Sequence, residues 1–99
     1  MISKKHISYL KDKVRKYFPD EKKVKIFIFG SALRRRKFRD IDVGFLSKDN
    51  QEIEKKKLIG LTGELEESTL PFQVDLVDFC NTEDNFKEYV FKNEKILWI

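Results

Sequence analysis

Hydrophobic positions along the chain switch between a helical and a strand period, and the switches predict the order of elements. Ser3 stands where an N-cap would. Ile7, Leu10, Val14 and Phe18 follow at helical spacing until Pro19 ends the pattern, which predicts a first amphipathic helix. The run VKIFIFG is nearly continuous in β-branched and aromatic residues, as a central strand buried on both faces requires, and Gly30 closes it. The segment from Ser31 to about Arg36 forms a short helix or turn. A second strand, IDVGFL, alternates Ile41, Val43 and Phe45 against Asp40, Asp42, Gly44 and Leu46. From about Asn50 to Ser68, Ile53, Leu58, Leu61 and Leu65 mark one face of a long helix. Gly60 and Gly63 inside it signal close packing on the sheet or a break. Pro71 opens a third strand, FQVDLVDF, with Phe72, Val74 and Leu76 opposed to Gln73, Asp75, Val77 and Phe79. Thr82 is the expected cap of a last helix, with Phe86, Tyr89 and Val90 turned inward and Phe91 a further candidate. The apolar tail KILWI either returns to the core or forms an interface.

This order predicts a two-layer α/β (α+β) fold, a small mixed three-stranded sheet with helices packed mainly on one face. With 99 residues there is room for one domain, residues 1–99, and any large substrate must be shared with a partner. The single cysteine, Cys80, excludes an internal disulfide, and no Cys and His cluster has zinc spacing. With no apolar run of membrane-spanning length and no cleavable leader, the sequence predicts a cytoplasmic protein. Twenty-one basic residues against 17 acidic ones leave a net charge of +4, too diffuse for a typical nucleic-acid binder.

Candidate chemistry concentrates between Ile28 and Phe45. Glycine at position 30 lets a phosphate approach the backbone, and the Ser31 hydroxyl adds a donor. Asp40 and Asp42, at i and i+2 of a strand, share a face and can reach one divalent ion. Asp75 sits between apolar residues of the third strand, where its charge needs compensation. If that strand lies beside the second, the three carboxylates converge, and oxygen-only ligation favours Mg²⁺ or Mn²⁺ over zinc. The competing reading makes Asp40 and Asp42 an edge pair that discourages aggregation, with Asp75 on a solvated face. Asp78 falls on the face opposite Asp75 and reads as a strand-end or helix-cap residue. His6 reads as a surface or packing residue, and Cys80 as a small buried apolar one.

At these residues the chain resembles the minimal nucleotidyltransferases of the DNA polymerase beta superfamily. The resemblance rests on Phe29-Gly30-Ser31, on Asp40 to Asp42 followed by Val43, and on VDLVD from Val74 to Asp78. It implies that Gly30, Ser31 and nearby amides hold the phosphates of ATP or another nucleoside triphosphate, with Arg34 pairing to phosphate. It also implies that Asp40 and Asp42 bind two Mg²⁺ ions and that Asp75 completes the site and helps activate an attacking hydroxyl. The reaction would transfer a nucleoside monophosphate and release pyrophosphate. Proteins resembling this one act as antitoxins beside a helical HEPN-type partner, some by transferring AMP to its tyrosine, so such a partner is expected here. Two departures stand out: the Ser31 to Asp40 segment is about two residues shorter than the commonest pattern, and Arg35 replaces a usual glycine. The alternatives are therefore an inactive binding module that neutralises a partner by contact, or a nucleic-acid accessory domain using Arg34 to Arg39. A homodimer is left open.

Overall fold

The computed structural model describes residues 1–99. Ser3 caps α1 (Lys4–Tyr17), its hydroxyl accepting from the His6 backbone N–H at 3.2 Å, and Leu10 and Val14 are buried on its inner face. Three further elements build the sheet around β1 (Val24–Phe29). It pairs antiparallel with β2 (Asp40–Ser47) on one side and with β4 (Ile96–Trp98) on the other. β2 in turn pairs parallel with β3 (Gln73–Asp78), giving the order β3-β2-β1-β4.

The sheet thus has four strands, where the periodicity predicts three. The added strand is the tail KILWI. Its three paired residues are too few for alternation to announce; Leu97 and Ile99 pack with the larger core and Ile96 with the smaller, and the Ile99 N–H donates to the Ile26 carbonyl at 2.8 Å. β3 lies at the sheet edge and is only partly buried. The charge of Asp75 is therefore tolerated by partial solvent access.

The two faces of the sheet are unequal. Ile26, Ile28, Ile41, Val43 and Phe45 meet Leu10 and Val14 of α1 and Leu61 and Leu65 of α2 (Lys55–Glu66) in one large core. On the reverse face Phe27, Phe29 and Phe79 form a smaller cluster in which Val90 is the one buried residue from α3 (Asp84–Asn93). Two helices cover one face and a single helix partly covers the other. No helix is long and apolar enough to cross a membrane.

The helices differ from the expected ones in three respects. α2 starts at Lys55, and Ile53 reaches the core from the preceding loop, where Asp78 accepts its N–H at 3.0 Å. Gly60 neither breaks the helix nor touches the sheet. It faces α1, where a Cβ would lie 3.0 Å from the Tyr17 ring and the Tyr17 hydroxyl donates to the Gly60 carbonyl at 3.3 Å. At α3 the N-cap is Glu83, while the Thr82 hydroxyl donates to the Phe79 carbonyl at 3.3 Å. Phe86, Tyr89 and Phe91 are not turned inward: they remain 42%, 57% and 40% exposed.

α1 and α2 are also joined by charge. Glu64 accepts from Lys13 Nζ at 2.8 Å, Tyr17 Oη at 2.6 Å and Lys16 Nζ at 3.1 Å. These hydrogen bonds, Lys13 first, lower its pKa to about 2.

Candidate active site

Where β1 ends, the chain turns through a short 3₁₀ helix (Gly30–Leu33) that begins with Gly30 at φ 82°, the left-handed region that only glycine enters at little cost. Buried Ala32 and Leu33 anchor this turn, and the Ala32 carbonyl accepts from the Ile2 N–H at 2.8 Å. The Ser31 carbonyl accepts the N–H groups of Arg34 and Arg35 at 3.1 and 2.8 Å, and Ser31 lines the cleft. Phe38 stacks on Phe72 with ring centroids 4.5 Å apart, and the Gln73 N–H donates to the Arg39 carbonyl at 3.1 Å. These contacts fasten the short basic loop to β3 and leave Arg35, Arg36, Lys37 and Arg39 exposed. Arg35 has no left-handed backbone, since Asn50 is the one non-glycine residue at positive φ, so the loop closes without a glycine there.

The strand registers bring Asp42 opposite Phe29 in the antiparallel pair and opposite Asp75 in the parallel pair. Asp42 and Asp75 are half-buried and Asp40 is exposed. A Cβ on Gly30 would lie 2.6 Å from Asp42 Oδ2, so the glycine is what lets that carboxylate rest against the turn. Burial pushes the Asp42 pKa up, and the charges of Asp75, Asp40 and Glu94 push it further. Hard oxygen donors that repel one another in this way are chemically suited to a divalent cation. They do not form a ready-made cage, because no three potential ligands sit close enough to hold one ion. Asp75 instead accepts from Gln73 Nε2 at 3.2 Å.

The residues open onto different hollows. Gly30, Ser31, Arg34 and Asp42 line a cavity of about 340 Å³ closed on one side by α3. Asp40 faces an adjacent one of about 480 Å³ with Arg35, Lys37 and Arg39, and Ser31 is common to both. Asp75 lines the largest cavity, about 580 Å³ between α2 and the β3 edge, which contains no other candidate residue. We weigh the smaller pair above it, because that is where hydroxyl, arginine and carboxylates meet.

Glu94 is the residue that sequence reasoning missed. It follows α3, is 13% exposed, and places Oε2 3.2 Å from Arg34 Nε. The pair is close in distance but poorly aligned, since that buried Oε2 has no hydrogen-bond donor. No motif marks Glu94. The available signal was a carboxylate at a helix C-terminus, where the backbone dipole disfavours negative charge. His6 packs edge-on to Phe72 at 5.2 Å, and Cys80 Sγ lies 3.2 Å from Ser47 Oγ; neither lines these cavities.

The family model described as Polymerase beta, Nucleotidyltransferase matches residues 12–99. Among solved structures, a mutant of the MntA-HpeT toxin-antitoxin is similar with a TM-score of 0.68 and 26% identity, covering 99% of this chain and 73% of that chain. The tri-AMPylated HEPN toxin of Shewanella oneidensis in complex with MNT antitoxin gives 0.59 and 26%, covering 92% and 71%. A toxin-antitoxin with AMP-PNP gives 0.62 and 28%, covering 88% and 71%. No curated protein matches the chain.

Proposed function

The chain belongs to the polymerase beta nucleotidyltransferase family, and from that premise we propose that it transfers AMP from ATP, or another nucleoside monophosphate, to a tyrosine hydroxyl on a HEPN-type helical partner. Residues 1–99 act as one minimal nucleotidyltransferase domain, an antitoxin working in the cytoplasm. The observation that carries the reading is the register of Asp42 between the Gly30 turn and Asp75, on adjacent strands. Structural neighbours with an AMPylated HEPN toxin and with AMP-PNP support the choice of partner and nucleotide.

In this reading Gly30 and Ser31 receive the β and γ phosphates, and Arg34 exchanges its contact with Glu94 for phosphate oxygen. Asp40, Asp42 and Asp75 would hold Mg²⁺, which when bound neutralises charge on the attacking and leaving oxygens. The acceptor hydroxyl attacks the α-phosphorus in line, the bond to the β-phosphate oxygen breaks, and pyrophosphate leaves. Asp75, half-buried on the edge strand, would take the hydroxyl proton. The open cleft needs a second wall, which the partner supplies together with the acceptor.

Incubating the protein with ATP, Mg²⁺ and a HEPN-type helical partner should add the mass of AMP to that partner. An intact complex with no mass gain overturns the transfer reading. The absence of a ready-made ion cage and the Arg34–Glu94 contact favour a second reading, neutralisation by contact alone. That reading requires Asp42→Asn to neutralise the partner as well as wild type.

A further inference from the structure

We propose that Tyr89, braced beside Phe86 on α3, is the platform on which the base of the nucleotide stacks, so that the cleft reads ring area rather than base identity. This inference rests on the transfer reading above. Its starting observation is an anomaly of packing. α3 buries one side chain, Val90, while Phe86 and Tyr89 stay 42% and 57% exposed. Spaced i and i+3, the two rings are neighbours on the helix surface. Both line the 340 Å³ cavity that also contains Gly30, Ser31, Arg34 and Asp42.

The two aromatics are not equivalent. Phe86 leans on Phe79 with centroids 5.7 Å apart, and Phe79 is packed in turn against Phe27 and Phe29 at 5.0 and 5.4 Å. Phe86 is therefore held from beneath by a rigid aromatic stack. Tyr89 has no ring partner, and its hydroxyl makes no hydrogen bond to the protein. Its face is free. Phe91, the third exposed aromatic of α3, is committed elsewhere, against Phe27 at 5.3 Å and Trp98 at 6.4 Å.

One cavity thus has a polar end, where the Gly30 turn, Ser31 and Arg34 meet the Asp42 and Glu94 carboxylates, and an aromatic end with an unused ring face. A ligand that matches both ends carries an anionic group and a planar π-system a short distance apart, as a nucleoside triphosphate does. Every base offers a π-face, so stacking tolerates all of them and favours the larger purines over pyrimidines. Glu94, the other polar side chain on the α3 wall, lies 3.2 Å from Arg34 at the polar end, which leaves the Tyr89 hydroxyl as the polar group beside the rings.

The test is calorimetric titration of the full chain with ATP, GTP, UTP and inorganic tripolyphosphate in Mg²⁺, using wild type, Tyr89→Ala and Tyr89→Phe. Tyr89 is exposed, so both variants fold, which thermal melts will verify. Tyr89→Ala should raise the Kd for ATP and GTP by about 5- to 100-fold, the range for loss of one stacked base, and leave tripolyphosphate binding unchanged. Tyr89→Phe should bind like wild type, and wild type should hold ATP and GTP similarly and both more tightly than UTP. Unchanged ATP affinity in Tyr89→Ala, or an equal loss of tripolyphosphate binding, overturns the platform while leaving nucleotide binding intact. A wild-type protein that binds neither ATP nor tripolyphosphate overturns the platform and the transfer reading together.

Discussion

The two faces of the sheet divide the labour of the molecule. The face under α1 and α2 is dry and aliphatic, a cluster of 15 buried residues sealed by the Glu64 bonds to Lys13, Lys16 and Tyr17. The face under α3 has four buried residues, three of them phenylalanine, and leaves aromatic rings and carboxylates open to solvent. Strand alternation sends Ile41 and Val43 to the first face and Asp42 to the second. One face accounts for stability, and the thinner one accommodates a ligand because so little of its surface is spent on packing.

The comparison breaks if substitutions on either face change the same property. The largest effect belongs to Asp42. Asp42→Asn should lower transfer by about a thousandfold or more, the scale of losing several kcal/mol of charge stabilisation at phosphorus. Its thermal stability should hold or rise at neutral pH without divalent ions. The sign follows from its raised pKa: the folded state is favoured while Asp42 is protonated, and that advantage is lost as pH rises through the folded pKa. A melt series from acid to neutral pH compares the variant with wild type.

On the other face Leu61→Ala, at a fully buried α2 position, should cost about 2–5 kcal/mol in denaturant unfolding and leave transfer per folded molecule unchanged. Smaller still is Glu64→Gln. Because the Glu64 pKa is lowered to about 2 from 4.5, its stabilisation is present above about pH 4.5 and fades toward pH 2. The variant should melt below wild type at neutral pH, and the gap should close on acidification across that window.

Legibility in the sequence divided along similar lines. The continuous apolar run VKIFIFG and the alternation around Asp42 announce strands, because each matches the burial of the strand it forms over most of its length. The parity of Asp75 was readable for the same reason, and so was its meeting with Asp42 once β3 was set beside β2. That β3 is an edge was not readable, since an apolar run looks alike in the centre and at a half-covered rim. β4 was hidden by its length, three residues whose pairing exists only in the folded sheet. Phe86 and Tyr89 were misassigned because helical spacing shows that a face is apolar but not whether anything lies opposite it. Glu94 was invisible for a related reason: its partner Arg34 lies across the cleft on a different element.

The division of faces is tested most directly by backbone amide NMR of the full chain during titration with Mg²⁺ and a non-hydrolysable ATP analogue. Shifts should gather at Gly30 to Arg34, at Asp40 to Asp42, at Asp75 and along α3 near Tyr89, while α1 and α2 stay silent. Perturbations centred on α1 and α2, with the Gly30 turn and Tyr89 unmoved, would contradict the assignment of the thin face to the ligand.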